Sequence, residues 1–375
     1  MKFSTELKPL IEAMGIVSRA VAVRGVKPVL ANILITTGDN QLRLVGTDLE
    51  IMMISTISAN IEEQGHFTIP AKLIQEILSC IPAEDNTQAS FVIDNDTGNE
   101  IVISSGRNRF NLQIQGIEDF PPVPVIECND VPSFSVKSAP FATALKEANI
   151  AVATEDGNPV QKSIYFDFTN HERPVMASTD SKRLGVTVVK ELEIPEQFRR
   201  SYIVPSKAVS ELNKLLDVSE EISLGLYKEQ LVFSSNQFQL ITRLVDGKFP
   251  DYNRVLPKES SRTLKIARRE LTQALKAVAP IARNSSGLVH FDISAHETRI
   301  WSDAQDQGKA EMFVSTELQG EPINIAFNVK FVQDFLNVIH DEEVHLEMTT
   351  PSYPGLLKPG NPESEFKYVL MPMSY

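Results

Sequence analysis

An α+β fold built from three copies of one unit, each with two short helices packed on antiparallel sheets, is predicted by three observations. Amphipathic helical segments recur six times at a near-constant step. Extended β-branched stretches precede every second one. Alternating strands that end in an acidic residue return at a longer period, which matches two helical steps.

The helical segments begin at Leu7 (LKPLIEAMGIVSRAV), Lys72 (KLIQEILSC), Pro140 (PFATALKEANIAVA), Lys207 (KAVSELNKLL), Arg268 (RRELTQALKAVAPIAR) and Lys330 (KFVQDFLNVI), in steps of 61 to 68 residues. In each, apolar residues fall at i, i+3, i+4 and i+7, which places them on one stripe facing a core. The stretches FTIPAK at 67–72, YIVPSK at 202–207 and INIAFNVK at 323–330 lead into the second, fourth and sixth segments. Pro70 and Pro205 stand at two of these entries, where the missing N–H of proline costs little.

Strands read as alternating runs, such as ANILITT, QLRLVGT, SFVID and EIVISS, separated by GDN and NDTG. LRLVGTD, VMASTD and TRIWSD end at Asp48, Asp180 and Asp303, and NRFNLQIQGIEDFPP at 108–122 pairs with NQFQLITRLVDGKFP at 236–250. These repeats give a period of about 125 to 135 residues. Domains are expected at 1–125, 132–253 and 260–375, with a proline-rich first linker, DFPPVPVIECNDVPS, and a second around DYNRVLPKESS.

At 375 residues with 42% hydrophobic and 23% charged content, the chain fits several soluble globular domains better than one. Glu6, Lys8, Glu12 and Arg19 interrupt the first twenty residues, so a signal peptide is not expected there. No apolar run approaches the length of a membrane span, and a cytoplasmic protein is the expectation. Cys80 and Cys128, outside any CxxC pair, are expected to be reduced thiols, with no structural zinc.

The net charge of −13 is unevenly divided, because the helical segments are enriched in cations: 268–283 holds Arg268, Arg269, Lys276 and Arg283 against Glu270. Positive helices on an acidic molecule suit weak, sequence-independent contact with phosphates.

LVDGKFPDYNRVLPK at 244–258, GTDLE at 46–50, SSGRNRF at 104–110, FNVKFVQDFLNVI at 327–339 and the terminal YVLMPM at 368–373 resemble the corresponding segments of bacterial sliding clamps, the β subunits of DNA polymerase III. The resemblance runs from MKF to within two residues of the end. It implies three clamp domains per subunit and a head-to-tail dimeric ring that encircles duplex DNA, with helices lining the hole. It also implies a processivity factor without catalytic activity, cofactor or metal.

The implied partners are double-stranded DNA, the polymerase III catalytic subunit, the clamp loader, and other polymerases and repair proteins bearing clamp-binding peptides. Arg24 and Lys207 are implied DNA contacts. The implied peptide groove comprises Thr179, Arg183, Leu184, Pro250, Arg254, Val255, Asn328, Val369, Leu370, Met371, Pro372 and Met373. Arg107, Arg109 and Phe110 of one subunit, facing the region of Ile281 in another, are the implied dimer interface; pairing open sheet edges across subunits would remove them. The sequence departs from the usual pattern at Gln161, where an apolar residue is common, at Ser181-Lys182, where Gly-His is common, and at the final Ser374-Tyr375. These departures bear on the polarity of the groove.

An enzyme is the competing class. The sequence lacks GxxxxGK[ST], GxGxxG and HExxH, and the histidines at 66, 171, 290, 296, 340 and 345 form no ligand set by spacing. Asp48, Asp180 and Asp303 occupy equivalent places in different repeats and are expected to cap turns; DNDTG at 94–98 is expected to be a hairpin turn. A scaffold that never touches DNA would share the repeats, and only retention on DNA separates it from a clamp.

Overall fold

The computed structural model describes residues 1–22, 27–93, 99–124, 126, 131–155 and 157–374. Arg24, Cys128 and the turn expected at 94–98 lie outside them. Six α-helices are present among the described residues: α1 (Leu7–Val17), α2 (Ala71–Ser79), α3 (Ser138–Asn149), α4 (Ser206–Asn213), α5 (Arg268–Ala282) and α6 (Val329–Val338). Each coincides with a predicted segment. The buried stripe of α1 is Leu7, Leu10, Ala13, Met14 and Val17, the i, i+3, i+4 progression of a helix with one face on a core. No described helix is long and apolar enough to cross a membrane.

The chain divides into two compact units, one formed by 1–138 with 214–244 and the other by 139–213 with 245–375. The middle repeat is thus split, and sheet pairing explains why. In the first unit an eight-stranded sheet runs in the order Ser133–Lys137, Glu221–Tyr227, Gln230–Ser234, Gln239–Arg243, Ile51–Ser58, Gln41–Thr47, Asn32–Thr37, His66–Pro70. Its centre is an antiparallel ladder that matches Ile241 to Met52 and Thr242 to Ile51, joining a strand of the middle repeat to one of the first. In the second unit a twelve-stranded sheet makes the equivalent join, pairing Leu184 with Val369 and Arg183 with Leu370. Each ladder closes an edge that a free-standing repeat would expose.

A further five-stranded sheet in the first unit has the order Asn60–Glu63, Lys2–Glu6, Gln88–Ile93, Glu100–Ser105, Asn108–Gln113. The helices cover the sheets in pairs, and a polar contact recurs at the same position of the second helix in each. Gln75 of α2 donates to the Met14 carbonyl of α1 at 3.5 Å, and Gln333 of α6 donates to the Leu275 carbonyl of α5 at 3.5 Å. In the middle repeat the matching position on α4 is Ser210, whose Oγ accepts from Asn149 of α3 at 3.3 Å.

Gly46 shows why the GTD string carries glycine: a Cβ there would lie 2.2 Å from the Val17 carbonyl oxygen, so the last turn of α1 rests directly on the strand. The acidic turns split two to one. Asp48 Oδ1 accepts from the backbone N–H groups of Glu50 and Ile51, and Asp180 Oδ1 from those of Lys182 and Arg183. Asp303 instead stands within the strand Glu297–Ala304, opposite Lys309. The third turn is displaced because this hairpin runs on to a one-turn connection at 305–307.

Candidate peptide groove and open sheet edges

Within the second unit, the turn at Thr179–Arg183, the strand Lys367–Leu370 and the segment 249–255 converge on a cavity of about 210 Å³. Its lining is Thr179, Ser181, Arg183, Leu184, Phe249, Pro250, Tyr252, Val255, Val369 and Met371. The turn is fixed from inside: Thr179 Oγ1 donates to the Arg183 carbonyl at 2.7 Å and accepts from the Ser181 N–H at 3.2 Å. Ser181 takes a positive φ of 73° to complete it.

The floor is apolar. Leu184, Phe249 and Val369 belong to one buried cluster with Ala177, Val186 and Leu356. Tyr165 stacks on Phe249 at 4.7 Å between ring centroids, and Tyr252 leans on Tyr165 at 6.3 Å. The Tyr252 hydroxyl donates to Asp167 Oδ2 at 3.1 Å; burial and that carboxylate push its pKa up to about 12. At the mouth, Val255 and Met371 are exposed large apolar side chains.

Arg183 is 5% exposed and anchors the groove to α6. Its Nε donates to Asp180 Oδ2 at 2.9 Å, its Nη1 to Asp334 Oδ2 at 2.6 Å and to the Tyr368 hydroxyl at 3.1 Å. Its guanidinium also lies 4.2 Å from the centre of the Phe331 ring. Burial alone would weaken the hold on its proton, but Tyr368 and the two carboxylates outweigh it, so its pKa rises. On Tyr368 burial acts the other way and raises the pKa, and Arg183 opposes that shift.

Seven of the twelve residues expected in the groove line the cavity: Thr179, Arg183, Leu184, Pro250, Val255, Val369 and Met371. Leu370 does not, because neighbours on a strand face opposite ways: Tyr368 and Leu370 enter the core beneath α5 and α6, leaving Val369 for the groove. Arg254 is exposed and paired with Asp251 at 3.1 Å. Asn328 caps α6, accepting from the Lys330 N–H at 3.0 Å. Pro372 and Met373 continue past the cavity, where the Met373 N–H reaches the Ala326 carbonyl at 2.9 Å. Phe249, Tyr252 and Ser181 were missing from the expected lining. The signal available for the two aromatics is their place in GKFPDY beside Pro250, which the expected lining already included.

Of the strand edges left open among the described residues, two carry incompletely buried aromatic side chains. Asn108–Gln113 pairs only with Glu100–Ser105, and it carries exposed Arg109 and half-buried Phe110, with Arg107 in the turn before it. Gly308–Gln319 pairs with Glu297–Ala304 along 308–315, whereas its other side is matched to Arg262–Ala267 only from Thr316 onward. Beside that free stretch Phe313 is 55% exposed. Met312 and Phe313 were not anticipated, since MFV in sequence reads as an ordinary buried run. Ile281, on α5, is half-buried, and Lys207 is exposed on α4.

Family models for the DNA polymerase III beta subunit match the chain in three parts: the N-terminal domain at residues 1–124, the central domain at 135–251 and the C-terminal domain at 253–374. The chain belongs to the DNA polymerase III β-subunit family, the sliding clamps. A beta sliding clamp from Vibrio cholerae is 30% identical over 376 residues, covering 100% of both chains. The crystal structure of the β subunit from Pseudomonas aeruginosa superposes with a TM-score of 0.89 at 27% identity, and covers 100% of each chain. A sliding clamp from Bartonella birtlesii, solved bound to griselimycin, gives a TM-score of 0.91 at 27% identity, again over 100% of each chain. The helix pairs and joined sheets of this chain are therefore those of three clamp domains.

Proposed function

We propose that the chain acts as a sliding clamp: two copies close head to tail around duplex DNA, hold it by enclosure, and tether the replicative polymerase and other DNA-processing proteins. The observation that carries this reading is the agreement with β subunits over the full length, joined to an apolar groove whose rim is built from the chain's own terminal strand. Its three clamp domains would run over 1–125, 132–253 and 260–375. The protein works in the cytoplasm as a non-catalytic processivity factor, without cofactor.

The physical logic has three parts. Cations carried by the helices, Lys207 on α4 among them, together with Arg24, supply weak phosphate attraction without base readout, which leaves the ring free to move. The open edge at Asn108–Gln113 of one subunit meets that at 308–315 of another, so backbone groups left unpaired in the monomer find partners, with Phe110, Phe313 and Ile281 burying apolar surface beside them. A partner's peptide inserts an apolar side chain between Leu184, Val369 and Met371, where a flexible thioether adapts to different shapes.

Retention on DNA tests the whole. Protein loaded on nicked circular DNA should stay bound at high salt and be lost when the circle is cut to a linear duplex. Equal loss from circular and cut DNA would leave only a protein-binding scaffold.

A further inference from the structure

The turn that rims the groove occurs a second time in the first unit, bond for bond. Thr47 Oγ1 donates to the Ile51 carbonyl at 2.7 Å and accepts from the Leu49 N–H at 3.1 Å, as Thr179 does with Arg183 and Ser181. Leu49 adopts a φ of 78° where Ser181 has 73°. The strand pairing behind the turn repeats as well, with Met52 opposite Ile241 where Leu184 is opposite Val369. Below them Val45, Ile54, Phe120 and Ile241 form a buried apolar cluster, the counterpart of Ala177, Val186, Phe249 and Val369.

A groove follows from this repetition. The first unit holds a cavity of about 600 Å³ whose lining includes Thr47, Leu49, Met52, Phe120, Pro121 and Ile241. Leu49 projects at its rim and is 50% exposed, an apolar side chain with no cover of its own. The charges around it differ in sign from those of the first groove. Glu50 replaces Lys182, and Asp119 replaces Lys248, beside Glu118; Arg243 takes the place of Met371. Glu50, Glu118 and Asp119 thus outnumber the two lining cations, Arg243 and Lys27.

We propose that this second groove binds a short extended peptide with an apolar anchor flanked by lysine or arginine, a partner of opposite charge preference to that of the first groove. The anchor enters over Met52 and Ile241, its basic flank meets Glu50, Glu118 and Asp119, and Arg243 and Lys27 face peptide carbonyl oxygens. The inference rests on reading the first groove as a peptide site. Two occupied grooves on one subunit would hold two partners, or two segments of one, at the same clamp.

Fluorescence anisotropy with the full-length protein and defined peptides tests it. The basic probe is fluorescein-labelled Lys-Lys-Leu-Ser-Leu-Phe, its acidic counterpart replaces both lysines with aspartate, and a charge control keeps the lysines but replaces the apolar residues with serine and glycine. The basic probe should bind saturably, weaken about tenfold or more in Glu50→Lys/Asp119→Lys, and be indifferent to Met371→Asp. The exposed charge reversals leave the core untouched. The acidic probe should show the opposite dependence. Absence of basic-probe binding, its loss in Met371→Asp, its persistence in the charge-reversed variant, or equal binding of the charge control would each overturn the second groove. Failure of the first-groove reading looks different: acidic-probe binding that ignores Met371→Asp while the basic probe still depends on Glu50 and Asp119.

Discussion

Gln161 donates from Nε2 to Oγ of Ser181 at 2.7 Å, across the rim of the peptide groove. Both residues were expected from the sequence to bear on the polarity of the groove, and they are partners. A polar side chain at 161 finds its hydrogen bond in the hydroxyl at 181, so the pair forms a polar lip above an apolar floor. Replacing Gln161 with Leu should therefore favour wholly apolar peptides, raising their affinity by about two- to fivefold as an amide no longer has to be desolvated. Peptide titration of Gln161→Leu, alone and with Ser181→Gly, checks this. An unchanged preference would remove the lip from specificity.

Met371 lies at the mouth with its side chain exposed, so a charge is tolerated there in the free protein. In the bound state the same charge would be buried against the peptide's anchor. Met371→Asp should weaken groove peptides by at least about tenfold and leave the unfolding midpoint in urea where it was. Retained affinity would place the groove elsewhere.

Arg183 behaves differently because its guanidinium is shared among Asp180, Asp334 and Tyr368. Arg183→Ala strands two carboxylates near a buried phenol and should cost about 3–5 kcal/mol of stability. Lysine cannot reproduce the fork that reaches two carboxylates, so Arg183→Lys should recover only part of the loss. Denaturant titration of the two variants would show it. Full rescue by lysine would mean that charge alone suffices.

Phe313→Asp addresses the open edge of Gly308–Gln319. The side chain is largely solvent-exposed in the single chain, so the change should not unfold it. It should shift the solution mass from two subunits toward one, because a carboxylate would be buried between edges. A mass that stays at two subunits would put the interface on another surface.

Glu147 on α3 gives a pH dependence with a definite sign. Burial raises its carboxyl pKa above the ordinary glutamate value, with Thr187 Oγ1 donating to Oε2 at 2.5 Å in partial opposition. A raised native pKa means that stability is fully present below the unfolded value and declines as pH rises through the native one. Glu147→Gln should accordingly stabilise the protein at neutral pH and flatten its stability profile above pH 4.5. An unaltered profile would show that the carboxylate is solvated in solution.

Much of this was legible in the chain. The six apolar stripes fixed the helices because a helix with one face on a core must repeat near 3.6 residues, and α1 through α6 fall where the stripes lie. Strand direction was harder to read. YVLMPM gives no sign that Val369 faces the groove while Leu370 faces a core, since both are apolar and only the register against Leu184 and Arg183 separates them. The split of the middle repeat was equally hidden. It depends on pairings such as Ile241 with Met52, nearly two hundred residues apart, which local periodicity does not encode.

The strand that carries Val369 has a consequence for resistance to groove-directed inhibitors. Its alternate residues, Tyr368 and Leu370, are packed into the core beneath α5 and α6. Escape mutations that reshape the base of the site would thus damage the scaffold itself. Viable escape should arise around the perimeter, at Gln161, Ser181, Val255 or Met371, where side chains can change without disturbing what lies beneath.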